Sequence, residues 1–133
     1  MIGMRTGDND RFMRRWYEVS SSKSLLNASS PEEAKNNQQK WLPYQKGGGF
    51  RRWYGNLDYV VNWENNGYEI KDNTLKNYPQ LSWDNLGWKI SNEAHYYQKA
   101  ITWTATSSCE DTIMGSATFS VAPAPAVVAN VPL

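Results

Sequence analysis

A chain of 133 residues with 40% hydrophobic content is long enough for one domain with a modest core, and it shows no composition break that would argue for two. Its single cysteine, Cys109, excludes an intramolecular disulfide and points to a reducing, cytoplasmic compartment. No stretch approaches the roughly 20 apolar residues of a membrane span or the apolar core of a signal peptide, so a soluble protein without membrane contact is expected. The net charge of +1 hides an asymmetry, because residues 1 to 55 hold 10 of the 14 basic and 5 of the 13 acidic side chains. The first part therefore carries +5 and the remainder −4, and a basic segment suits a polyanion. Seven Trp and eight Tyr exceed what a core of this size requires, so several must be partly exposed. Exposed rings stack on nucleobases or on sugars.

In chain order, Asp8 to Val19 reads as a short helix, with Asp8, Asn9 and Asp10 as caps and Phe12, Trp16 and Val19 on one face. Arg11, Arg14 and Arg15 then point elsewhere. A Ser-rich stretch interrupts the pattern before Ser30, Pro31 and Glu33 open a second helix with a capping box, running to about Gln39. Lys40 to Gly55 reads as a loop with three consecutive glycines that ends in a basic and aromatic cluster. Tyr59-Val-Val-Asn-Trp63 is the clearest strand, closed by the turn Glu64-Asn-Asn-Gly67, with Tyr68-Glu-Ile70 as a return strand. Residues 71 to 91 read as irregular, Ser91 or Asn92 caps a helix through Lys99, and Ile101 to Thr106 has a strand pattern. From about Glu110 the chain turns Ala- and Pro-rich, and an extended or poorly ordered tail is expected over 111–133. The expected fold is α+β: one small domain over 1–110 with short helices and a small mixed or antiparallel sheet.

No catalytic constellation stands out. His95 has no second histidine or cysteine at metal-ligand spacing, and Gly47-Gly-Gly49 is followed by no Gly-Lys-Ser/Thr, so it is not a phosphate loop. Asp8 and Asp10 read as caps rather than paired acids, and Cys109 as a small buried apolar group. The positive signal is Arg51-Arg52-Trp53-Tyr54, preceded by Lys46 and the glycines. Arginine forks match phosphate oxygens and guanine edges, and flat rings stack or wedge. A core Trp flanked by solvated arginines is the competing reading.

Four ordered blocks resemble consecutive signatures of the BREX phage-exclusion adenine-specific DNA methyltransferases. They are Gly7-Asp-Asn-Asp-Arg-Phe12; Lys40-Trp-Leu-Pro-Tyr44 through Gly47, Gly48 and Gly49 to Phe50-Arg-Arg-Trp-Tyr-Gly-Asn56; Tyr59-Val-Val-Asn-Trp-Glu-Asn65; and Glu93-Ala-His-Tyr-Tyr97 with Ile101-Thr-Trp103 and Ser107-Ser108. The resemblance covers about residues 3 to 108. It implies the start of a target-recognition region that follows the methyltransferase domain, truncated inside its own domain beyond Glu110. The partners it implies are double-stranded DNA and the catalytic domain of the parent enzyme. Arg11, Arg14, Arg15, Lys46, Arg51, Arg52, Trp53 and Tyr54 are the expected DNA contacts. The family's chemistry needs a glycine-rich S-adenosylmethionine site and an Asn-Pro-Pro-Tyr type motif, and neither occurs here. No catalytic residue, metal or cofactor is therefore expected in this chain, S-adenosylmethionine being implied only for the parent. Two further readings stand beside this one: a carbohydrate-binding module, from the Trp, Tyr and Asn content, and a structural segment that packs between domains or binds a partner.

Overall fold

The computed structural model describes residues 4–28, 30–46 and 57–97, together with the backbone of three two-residue strands at 101–102, 120–121 and 127–128. The elements in chain order are α1 (Asn9–Phe12), β1 (Met13–Arg15), α2 (Pro31–Asn36), β2 (Trp41–Gln45), β3 (Tyr59–Asn62), α3 (Glu64–Asn77), β4 (Ile101–Thr102), β5 (Ser120–Val121) and β6 (Val127–Val128). Short 3-10 turns at Trp16–Glu18, Ser21–Lys23, Leu86–Trp88 and Glu93–His95 link them. The expected α+β class with short helices and a small sheet is borne out.

The main sheet has the order β1-β3-β2-β6, antiparallel except for the parallel β2–β6 pair, and β4 pairs with β5 separately. β3 is one of its two inner strands, with Val61 opposite both Met13 and Leu42, and Tyr59 opposite both Arg15 and Tyr44. Strand alternation sorts the side chains. Leu42, Tyr44 and Val61 face a buried cluster with Met4, Phe12, Ala34, Trp63, Ile70 and Ile90. Arg14, Trp41, Pro43 and Val60 lie on the opposite face. Pro43 is tolerated inside β2 because the Trp41 carbonyl accepts from Leu25 on the side away from β3, and the period of two puts the missing Pro43 N–H on that side too.

Local signals fixed the helix starts more reliably than their lengths. Asp8 caps α1 by accepting from the Arg11 backbone N–H at 3.0 Å, and Ser30 caps α2 by accepting from that of Glu33 at 3.1 Å. The helix expected through Val19 ends after Phe12, however, because Met13 to Arg15 pair with β3. A ladder of backbone hydrogen bonds outweighs the weak helical periodicity of Phe12, Trp16 and Val19. The helix expected to reach Gln39 ends at Asn36, and Gln38 takes a left-handed φ of 52°.

Residues 41–45, expected to lie in a loop, form β2. The turn at Glu64 to Gly67 is present, but Tyr68 to Ile70 and Lys71 to Asn77 continue from it as helix rather than as a return strand and irregular chain. Asn65, Asn66 and Gly67 are all left-handed, which reverses the chain at the end of β3 and lays Ile70 and Thr74 against the core, one helical turn apart. The helix expected through Lys99 is replaced by the 3-10 turn at Glu93–His95, since Asn92 and Tyr97 take positive φ of 59° and 66°. Ile101–Thr102 is strand as expected. The rest of that strand pattern lies outside the described residues, as does most of the Ala- and Pro-rich stretch.

Burial makes the core sensitive to alkali. Tyr44 donates its hydroxyl to the Met4 carbonyl at 3.1 Å, and desolvation pushes its ionisation from 10.0 up to about 12. Burial also raises Tyr96 and Tyr97, with the Glu93 carboxylate adding to both. A proton held more tightly in the folded state gives stability that is intact below the unfolded value and is lost as pH rises through the folded one. Urea denaturation should therefore show stability level up to about pH 9 and falling between about pH 10 and 12. The fall should be on the order of 2–3 kcal/mol from Tyr44 alone. Tyr44→Phe should make that limb shallower, with Tyr96 and Tyr97 still contributing to it, while costing about 1 kcal/mol at neutral pH for the lost hydrogen bond.

Candidate nucleic-acid interface

Pairing in the sheet places two aromatic rings between cations. Tyr59 is flanked by Arg15, with Cζ 5.3 Å from the ring centroid, and by Lys46, with Nζ at 5.6 Å. On the other face Arg14 lies 6.0 Å from the Trp41 centroid and Lys40 5.9 Å. A cation over a ring face is attracted by the ring quadrupole and stays oriented while its outward donors remain available. The Arg14 Nη1 donates to the Asp10 and Met13 carbonyls, which fixes the guanidinium further.

The four cations differ in how they are neutralised. Lys40 lies 3.7 Å from the Glu69 carboxylate and 4.0 Å from that of Glu64. Among the described residues, Arg14, Arg15 and Lys46 form no ion pair. Glu18 lies at the same strand end and accepts the Arg15 backbone N–H at 2.6 Å. Arg11 stands apart from the other expected contacts: its Nη1 donates to Asn73 Oδ1 at 3.2 Å and its guanidinium lies 4.8 Å over the Phe12 ring. The structure thus brings Arg15 and Lys46 together on Tyr59, puts Arg14 on the other face of the same edge strand, and ties Arg11 to α3. Arg51, Arg52, Trp53 and Tyr54 lie outside the described residues. They fall in sequence between β2 and β3, whose junctions carry Lys46 and Tyr59.

Sequence reasoning missed Trp41 and Tyr59 as the rings that seat these cations. Trp41 was hidden by the loop reading of its segment, whereas the pairing of Tyr59 with Arg15 is a matter of register that no local pattern announces. His95 is exposed in the turn at Glu93–His95, and among the described residues no three His, Cys, Asp or Glu side chains gather to hold a metal ion. Among them too, no helix is long and apolar enough to cross a membrane.

No protein-family model matches the chain. Over 107 residues, 80% of its length, it is 42% identical to the adenine-specific methyltransferase PglX of Lacticaseibacillus casei (strain Zhang). Over 102 residues, 77% of its length, it is 33% identical to the adenine-specific methyltransferase BrxX of Escherichia coli O9:H4 (strain HS). The chain is a homologue of one segment of these adenine-specific methyltransferases. The resemblance carried by the four sequence blocks is thereby borne out. The chain spans 8% of the PglX relative and 7% of the BrxX relative, so the likeness concerns a small part of each enzyme.

Proposed function

We propose that this chain is a DNA-contacting, target-recognition segment of a cytoplasmic adenine-specific DNA methyltransferase of a phage-defence system, and that it makes its contacts through phosphate. The observation that carries this reading is a set of cations without ion-pair partners among the described residues: Arg15 and Lys46 held against Tyr59 at one end of the β2–β3 pair, and Arg14 against Trp41 on the other face of the sheet. Oriented arginine and lysine donors without carboxylate partners are what a phosphate backbone requires, and such contacts fix register without reading sequence. Similarity to a segment of PglX and BrxX supports this reading, and the asymmetry of charge along the chain agrees with it. Arg51 and Arg52, between Gly47-Gly-Gly49 and β3, belong to the same proposal on sequence grounds, with Trp53 and Tyr54 as stacking or wedging rings. Anisotropy of a labelled duplex at about 50 mM salt should show saturable binding that differs little between unrelated sequences. No binding under those conditions, or retention on a polysaccharide column instead, would overturn the proposal.

The methyl-transfer chemistry falls to the rest of the parent enzyme, since neither the glycine-rich cofactor site nor the adenine-holding motif is in this sequence. Calorimetry with S-adenosylmethionine should give no heat of binding to the 133-residue chain. Micromolar, saturable uptake would contradict the assignment. A second contact, with the catalytic domain of the parent, is favoured by the exposed aromatics around α3: Tyr68 and Trp83 stack with centroids 5.5 Å apart, and Trp88 is 82% exposed.

A further inference from the structure

The outer face of the sheet carries a groove of about 600 Å³ that reaches Tyr59, a volume in the range that holds one small ligand. Its apolar lining comes from Leu26, Pro43, Leu57 and Val60, and the exposed rings of Trp16 and Tyr17 stand over it edge to face, with centroids 5.7 Å apart. Trp16 is 58% and Tyr17 62% exposed, although large aromatics normally bury. Tyr59 belongs both to this lining and to the Arg15 and Lys46 pair. An apolar slot under an exposed indole, sharing Tyr59 with two cations that have no ion-pair partner among the described residues, matches a flat ring attached to an anion.

We infer that this groove takes a single unstacked base of a DNA strand against Trp16, while Arg15 and Lys46 hold the adjoining phosphate. The inference rests on the reading of nucleic acid as the ligand and adds to it a contact with the base itself. Ser21, Ser24 and Asn27 give the groove polar groups that tolerate any base edge, so the contact is one of stacking rather than sequence readout. Glu18, whose carboxylate accepts the Arg15 backbone N–H, is the opposing charge at this end.

The test titrates the 133-residue chain with a thymidine oligonucleotide and with an abasic strand of the same length, read by tryptophan fluorescence and by anisotropy. The thymidine strand should bind roughly tenfold tighter and quench emission. In Trp16→Ala, and in Leu26→Glu as a second variant at an exposed position, this preference should vanish while affinity for the abasic strand changes little in Trp16→Ala. Trp88→Ala, outside the groove, should keep the preference. Equal binding of both strands by the wild-type chain, or a preference that survives both groove variants, would overturn the inference and leave phosphate contact standing. Loss of both strands' binding in Arg15→Ala/Lys46→Ala alone, with no base preference anywhere, would mean phosphate contact only.

Discussion

Gly67→Ala should cost the fold about 2–5 kcal/mol, enough to remove much of the stability of a small domain. Two independent penalties add at this position. Gly67 sits at φ +73°, where an alanine pays roughly 1–2 kcal/mol in left-handed backbone. A Cβ there would stand 2.6, 2.7 and 2.8 Å from three carbons of the Trp63 ring, and Trp63 is fully buried with its ring edge against Tyr96 at 5.7 Å. The ring has nowhere to retreat, and overpacking of this kind costs about 1–3 kcal/mol. Against a total stability of about 5–15 kcal/mol, urea denaturation should show a much lower midpoint or no cooperative transition. Asn65→Gly, at a left-handed residue of the same turn, should be neutral or slightly stabilising. A Gly67→Ala change of under about 1 kcal/mol would contradict the close packing of Trp63 on this turn.

The same turn shows how far the fold was legible in the sequence. Glu64-Asn-Asn-Gly67 announced a reversal because Asn and Gly accept left-handed backbone, but nothing local said whether strand or helix would follow. Tyr68 and Ile70 favour strands, yet in the structure Ile70 is fully buried on a helix, so its partners in the core decided the conformation. The opposite error occurred at Met13 to Arg15, where helical spacing lost to pairing with β3. Caps at Asp8 and Ser30 and the β-branched run at Tyr59 to Asn62 were legible because each depends on neighbours in sequence. At the candidate site, the cationic residues could be read from charge alone. Which of them are neutralised could not, since Lys40 meets Glu64 and Glu69 only through the reversal that brings α3 back along the sheet.

Removing the unpaired cations should have the largest effect on binding. Arg14→Ala/Arg15→Ala/Lys46→Ala should weaken duplex DNA binding by roughly tenfold or more at low salt, about equally for unrelated sequences, because phosphate contacts carry no base information. Folding should survive, since Arg15 is exposed and Lys46 lies just beyond the end of β2. Arg14 loses hydrogen bonds to the Asp10 and Met13 carbonyls, for which about 1 kcal/mol of stability is a reasonable charge. Arg51→Ala/Arg52→Ala in the parent enzyme should act in the same way and lower the salt slope by about two. If one of that pair reads a guanine edge, its loss should instead fall on the cognate site by roughly 1–3 kcal/mol. Lys40→Ala should matter much less to binding, because its charge is already met by two carboxylates.

The most direct measurement is the salt dependence of duplex binding by the chain and by the Arg14/Arg15/Lys46 triple variant. About four phosphate contacts predict a slope of log K against log salt of about −3 to −4 for the chain, reduced by about two to three in the variant. A slope near zero, or a steep slope that the variant leaves unchanged, would contradict DNA contact through these three cations.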